Sequence, residues 1–141
     1  MASIAKEILT TASPSTVWDA VRDVGALHTR LVPGFVVATE LVPGGRKVTF
    51  ANGVVVEEPI IDLNDDTRRL AWTAKGMSLG LTHYNGSVEV LPGDAGGSRV
   101  VWRADLLPNE AASVVNDMME QGARAMANAL DRLGPVPPNG R

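Results

Sequence analysis

The feature that most constrains this chain is an apolar stripe in its last long segment, residues 109–133. Ala111, Val114, Val115, Met118 and Met119 open the stripe, and Gly122, Ala123, Met126, Ala127, Leu130 and Leu133 continue it. Steps of three and four place these residues on one face of a single helix. Asn116, Asp117, Glu120, Gln121 and Arg124 fall on the other face, with Glu120 and Arg124 in the favourable i, i+4 order. Asn109, after Pro108, suits an N-cap, and Gly134-Pro135 is a strong stop. At about 1.5 Å per residue, a helix of this length crosses an entire small domain. Such a helix must be covered, so the rest of the chain has to supply one broad apolar surface.

The stripe consists mostly of Ala, Gly and Met. Gly122 inside a helix costs about 1 kcal/mol relative to Ala. Two readings of the small residues stand side by side: close packing against a partner surface, or space left empty as a cavity. Methionine fits either, because its flexible side chain fills irregular gaps and adapts to varied shapes.

With 141 residues the chain forms one domain, expected over 1–134, followed by a flexible tail over 135–141 rich in Pro and Gly. A net charge of −3 offers no basic footprint, so no nucleic-acid partner is expected. Without cysteine there is no disulfide, thiolate metal site or Cys nucleophile. This composition fits a reducing, cytoplasmic setting. No apolar run approaches the roughly 20 residues a membrane span needs, and Lys6 and Glu7 come too early for a signal peptide. The two histidines, far apart in sequence, suggest no metal site, and no motif asks for a cofactor.

Ahead of the helix, residues 4–10 read as a strand. Ser13-Pro14 opens a helix with Val17, Trp18, Ala20, Val21 and Val24 on its apolar face, ended by Gly25, and a shorter helix follows over 26–31. Strands over 35–42, 47–50, 54–63, 68–74, 81–91 and 99–106 then alternate with turns rich in Gly, Pro, Asn and Asp. Hairpin-linked strands make an antiparallel sheet with one buried face. The expected architecture is α+β: about seven strands in the order β-α-α-β×6-α, curved around the last helix.

Alternation assigns the inward side chains: Phe35, Val37 and Leu41; Val48 and Phe50; Leu70, Trp72 and Ala74; Tyr84, Val88 and Val90; Val100, Trp102, Ala104 and Leu106. Either Glu57 or Glu58 must then face the interior. A two-residue turn at Asn52-Gly53 sets Val48 opposite Glu57 and Lys47 opposite Glu58, which turns Glu57 inward. A three-residue loop reverses the two faces. The cross-strand pair Lys47–Glu58 favours the first, so Glu57 is expected inside, where it needs a partner or a raised pKa.

The run Ser13-Pro14-Ser15-Thr16-Val17-Trp18, Asp62 after the third strand of the sheet, Val101-Trp102 in the last strand and the terminal helix together resemble the polyketide cyclase/dehydrase and lipid-transport group of the START/Bet v 1-like superfamily. The resemblance spans residues 5–133. It implies the helix-grip fold, with an elongated apolar cavity between sheet and helix and the short helices guarding its mouth. Members include ligand carriers, cyclases, dehydratases and interaction modules.

Three functions are therefore open. The first is binding of a small hydrophobic or aromatic ligand, polyketide- or lipid-like, by a monomer or homodimer. Its wall would be Phe50, Trp72, Tyr84 and Trp102 on the sheet and Met118, Met119, Gly122 and Met126 on the helix, with Arg30 available to hold a carboxylate or enolate. The second is a cyclase/dehydrase-type enzyme in the same cavity, with Glu57 and His28 as acid/base groups. The third is an interaction module with little cavity. The competing readings are ordinary: an aromatic core, a solvated surface helix for His28 and Arg30, and a carboxylate that reaches water for Glu57. Gly76-Met77-Ser78-Leu79-Gly80 fits G-x-S-x-G but joins two antiparallel strands, so it is no nucleophile elbow. Met77 and Leu79 are expected instead as an apolar lip. Asn85-Gly86-Ser87 sits mid-strand, where a glycosylation acceptor has no place.

Overall fold

The computed structural model describes residues 1–75 and 79–134. Its elements are β1 (Ala2–Thr10), α1 (Pro14–Arg22), β2 (Val36–Val42), β3 (Gly45–Phe50), β4 (Val55–Asn64), β5 (Arg69–Thr73), β6 (His83–Pro92), β7 (Ser98–Leu107) and α2 (Ala112–Leu133). The expected second short helix is a 3-10 turn, Val24–Ala26, running into a π-helical turn, Leu27–Leu31. The strands form one antiparallel sheet in the order β1-β7-β6-β5-β4-β3-β2. Consecutive strands from β2 to β7 are neighbours, as hairpin connections dictate. β1 pairs with β7 over its whole length, from Ala2 opposite Leu106 to Thr10 opposite Ser98. Residues 76–78 of the G-x-S-x-G run, with Met77 of the expected lip among them, and the tail lie outside the described residues.

Local chemistry sets the helix ends. Ser13 is the N-cap of α1 and accepts the Thr16 N–H at 3.3 Å, with Pro14 behind it. The buried face of α1 is Val17, Trp18, Ala20 and Val21. Trp18 Nε1 donates to Asp65 at 2.8 Å and fastens the helix to the turn after β4. Asn109 does not cap α2: residues Asn109–Ala111 form a 3-10 turn first, and the capping position falls to Ala111, whose side chain has nothing to offer. Gly134 ends α2 with φ +52°.

α2 buries Val115, Met119, Gly122, Met126, Ala129 and Leu130. Val114 and Leu133, at the margins of the stripe, stay 47% and 42% exposed. Glu120 pairs with Lys6 of β1, so the helix is pinned to the sheet edge; among the described residues Arg124 donates to the Glu120 backbone carbonyl and not to its carboxylate.

Two registers depart from simple alternation. A bulge between Val36 and Ala38 buries Val36 and leaves Val37 54% exposed, which corrects the inward assignment of Val37. Leu41 lies opposite Arg46 and against Gly25, yet is 64% exposed because little covers the sheet beyond that point. The second departure decides the glutamates. The Phe50 N–H bonds to the Val54 carbonyl, so Ala51, Asn52 and Gly53 form a three-residue loop. Gly53 sits at φ +87°, and Asn52 Oδ1 accepts the Val54 N–H. Val48 then opposes Val56, Lys47 opposes Glu57 and Arg46 opposes Glu58. Glu58 is therefore the inward residue, 7% exposed, and Glu57 faces solvent.

Candidate functional site

The space between sheet and α2 is shaped by two glycines. A Cβ on Gly122 would stand 2.7 Å from Cη2 of Trp102 and 3.0 Å from Cε2 of Phe35. The room left by Gly122 is thus filled by ring edges, and of the two readings of the small-residue stripe, close packing holds at this point. On the sheet, a Cβ on Gly86 would stand 2.6 Å from Cε2 of Trp72, so the Trp72 ring lies over the bare backbone of β6. The Arg46 guanidinium sits over the same ring, 5.4 Å from its centroid.

Trp102, Phe35 and Phe50 divide the interior. Phe35 and Phe50 meet edge to face, 5.3 Å between centroids. On one side is an outer chamber of about 60 Å³, bordered by Val56, Leu79, Tyr84, Val115, Met118 and Met119. On the other is an inner chamber of about 50 Å³, bordered by Leu27, Leu31, Arg46, Trp72, Val88 and Met126. The three rings line both chambers. Among the described residues, the space between sheet and α2 shows two small apolar chambers that share these three rings, not one elongated cavity.

The polar groups here are few and tightly held. Arg46 Nε donates to Glu58 Oε1 at 2.8 Å, and both side chains are almost wholly buried. Arg46 Nη1 also reaches the Val24 carbonyl at 3.4 Å, tying the pair to the 3-10 turn. Burial raises the Glu58 pKa from its ordinary value, and the neighbouring Arg46 only partly offsets this. Burial also raises the Tyr84 pKa, with the Glu58 charge adding to the effect. Among the described residues two buried donors have no partner: Nε1 of Trp72 and Nε1 of Trp102, in residues 5% and 9% exposed. A buried unpaired donor costs about 1–3 kcal/mol, so two around one chamber are unusual.

The expected site residues divide accordingly. Phe50, Trp72, Tyr84, Trp102, Met118, Met119 and Met126 border a chamber, and Gly122 seats the partition. Arg30 does not reach the interior: its guanidinium is taken by Asp19 of α1 and by Asp23 just past its end, at 2.6 and 3.0 Å. His28 is half-buried with Nδ1 3.0 Å from Thr39 Oγ1, while its neighbours Leu27 and Leu31 face the inner chamber. Glu57 points away, with its backbone bridged to Lys75. Sequence reading missed Arg46 and preferred Glu57 to Glu58. The signal was present: Arg46, Val48 and Phe50 alternate, so an inward Arg46 demands an inward carboxylate opposite it. Among the described residues no cluster of His, Asp or Glu is suited to a metal ion, and no helix is long and apolar enough to cross a membrane.

A seven-stranded antiparallel sheet closed by one long terminal helix makes a START/Bet v 1-like, helix-grip fold. A protein of Bacillus thuringiensis has the same fold, with a TM-score of 0.83 at 20% identity over 92% of this chain and 98% of its own. Norcoclaurine synthase of Thalictrum flavum, solved with dopamine and hydroxybenzaldehyde, matches with a TM-score of 0.72 at 22% identity, covering 94% and 85%. A START superfamily protein of Mycobacterium smegmatis matches with 0.72 at 12% identity, covering 93% and 98%. No curated protein matches the sequence. The family model described as polyketide cyclase/dehydrase and lipid transport matches residues 1–135, and the chain belongs to that family.

Proposed function

We propose that this protein binds a small hydrophobic or aromatic ligand between the sheet and α2. The observation that carries the reading is the pair of chambers, apolar in their walls and both bordered by Phe35, Phe50 and Trp102. A ligand that displaces these rings would join the two spaces, whereas each alone holds only a fragment of a drug-sized molecule. Norcoclaurine synthase, on the same fold, is solved with small aromatics. Native mass spectrometry against a panel of alkylbenzenes, naphthalenes, fatty acids and aromatic polyketides tests the proposal. Uptake of at least one apolar class at one-to-one stoichiometry is expected. Retention of none across the panel removes the reading.

One observation favours a second reading, proton transfer beside the same space: the buried Glu58 carboxylate is held 2.8 Å from Arg46, which borders a chamber, and burial raises its pKa. Glu58, not Glu57, then takes the acid/base role. Deuterium exchange at the carbon beside a bound ketone carbonyl checks this. Exchange that is catalysed by the wild type and lost in Glu58→Gln, with binding kept, supports it; equal exchange in both proteins excludes it.

A further inference from the structure

We infer that Phe35 and Phe50 are the gate between the two chambers, that Trp102 stays fixed beside them, and that the ligand is therefore long and narrow: an unbranched hydrocarbon chain, or a single ring that carries one. The inference rests on the apolar-binding proposal above and specifies the shape of its ligand. The same three rings border both chambers, so an occupant that spans the two has to move at least one of them. They are not equally free. Trp102 lies in the middle of β7, paired with Lys6 of β1 on one side and Val88 of β6 on the other, and is 9% exposed. Behind its ring stands the backbone of α2. Cη2 takes the place of the side chain that Gly122 lacks, 2.7 Å from where a Cβ would be. A retreat in that direction drives the ring into the helix.

Phe35 and Phe50 differ on each count. Both are half-buried. Phe35 stands outside the strands, between Gly34 at φ +88° and the bulge that follows Val36. Phe50 is the last residue of β3, beside the loop of Ala51, Asn52 and Gly53. The two rings meet edge to face at 5.3 Å, so each loses a neighbour when the other turns. Phe35 Cε2 also approaches the Gly122 notch, at 3.0 Å from the same Cβ position, but the exposed side of Phe35 gives its ring a direction in which to swing. Lifting a ring that is already half-exposed forfeits less buried apolar area than lifting one that is covered. The slot that opens has the fixed indole as one wall and joins chambers of only about 60 and 50 Å³. A methylene chain passes such a slot. A branched or caged group needs Trp102 to retreat as well.

The methionines report where an occupant lies, because Met118 and Met119 border the outer chamber and Met126 the inner one. Their labelled methyl signals are followed during titration with n-alkylbenzenes from ethylbenzene to octylbenzene, and with tert-butylbenzene and adamantane as broad counterparts. Affinity should rise about fourfold for each methylene buried. The shortest members should move Met118 and Met119 alone, and the longer ones Met126 as well. The broad compounds should leave Met126 in place. In the octylbenzene complex the Overhauser contact between Hη2 of Trp102 and Hα of Gly122 should persist. In Phe35→Leu or Phe50→Leu a broad compound should reach Met126. Each protein is read by which methionine moves, so a general change in affinity does not enter, and the wild-type measurements decide even where a variant fails to fold. Loss of the Trp102–Gly122 contact on binding octylbenzene overturns the inference and leaves the apolar-binding reading intact. So does a broad compound at Met126 in the wild type, octylbenzene that moves Met118 and Met119 alone, or exclusion of both broad compounds from Met126 in both folded variants. No methionine response to any compound overturns the inference together with the reading beneath it.

Discussion

Gly122→Ala reverses the usual expectation for a helix glycine. In an exposed helix interior this change stabilises by about 1 kcal/mol, through backbone entropy. Here the new methyl would stand 2.7 and 2.8 Å from Cη2 and Cζ3 of Trp102, and 3.0 Å from Cε2 of Phe35. Both rings are wedged in the interior, so relief requires either α2 or the Trp102 ring to shift. Overpacking of this kind costs about 1–3 kcal/mol. The two effects leave a net destabilisation of about 1 kcal/mol, which for a domain of this size lowers Tm by roughly 3–4 °C. Urea unfolding followed by circular dichroism, with tryptophan fluorescence as a second probe, measures it. The fluorescence of the folded state should change as well, because Trp102 is the residue displaced. A variant more stable than wild type, with unaltered fluorescence, would refute the claim that Trp102 occupies the space Gly122 leaves.

Other outcomes follow from the same geometry. Arg46→Met leaves Glu58 buried without its partner and should cost about 3–5 kcal/mol, whereas the double change Arg46→Met/Glu58→Leu should recover most of that; chemical denaturation of the three proteins decides it. Glu58 holds its proton more tightly folded than unfolded, so its contribution to stability is complete below its ordinary value of 4.5 and is lost as the pH rises through the higher folded value. Wild type should therefore lose ground relative to Glu58→Gln above pH 4.5, by at most about 1.4 kcal/mol per pH unit, in unfolding curves taken at steps of pH. Asp65, held low chiefly by hydrogen bonding to Arg22, and Glu120, held low by Lys6, act in the opposite sense as the pH falls through their own lowered values, so they do not mask this window. Ser13→Ala removes the acceptor for the Thr16 N–H and should cost about 1 kcal/mol in the same assay.

Much of the fold was legible because it rests on periodicity. The three-and-four spacing of Val115, Met119, Gly122, Met126 and Leu130 marked the buried face of α2, and the alternation of Val100, Trp102, Ala104 and Leu106 marked that of β7. The site was less legible because its polar members depend on single-residue register. Asn52-Gly53 announces a hairpin, but whether Ala51 joins the loop decides between Glu57 and Glu58, and short-range chemistry leaves that open. Arg30 was misplaced because its partners Asp19 and Asp23 lie on another element, whose orientation no local pattern gives. The orphaned indoles could not be read at all: a missing hydrogen bond is a property of the packed interior, visible only once every neighbour has its place. The emptiness expected of an Ala, Gly and Met stripe proved smaller than its composition implies, since Trp102 and Phe35 move into it.

The central claim is that an apolar ligand lodges between the sheet and α2. Intermolecular nuclear Overhauser effects measure this most directly, recorded between a bound aromatic ligand and the methyl groups of the labelled protein. The account predicts contacts to Met119 and Met126 of α2 and to Val56 and Val88 of the sheet, all of which border the chambers. Contacts confined to exposed Val55 and Ile61, with none to the buried methionines, would contradict it.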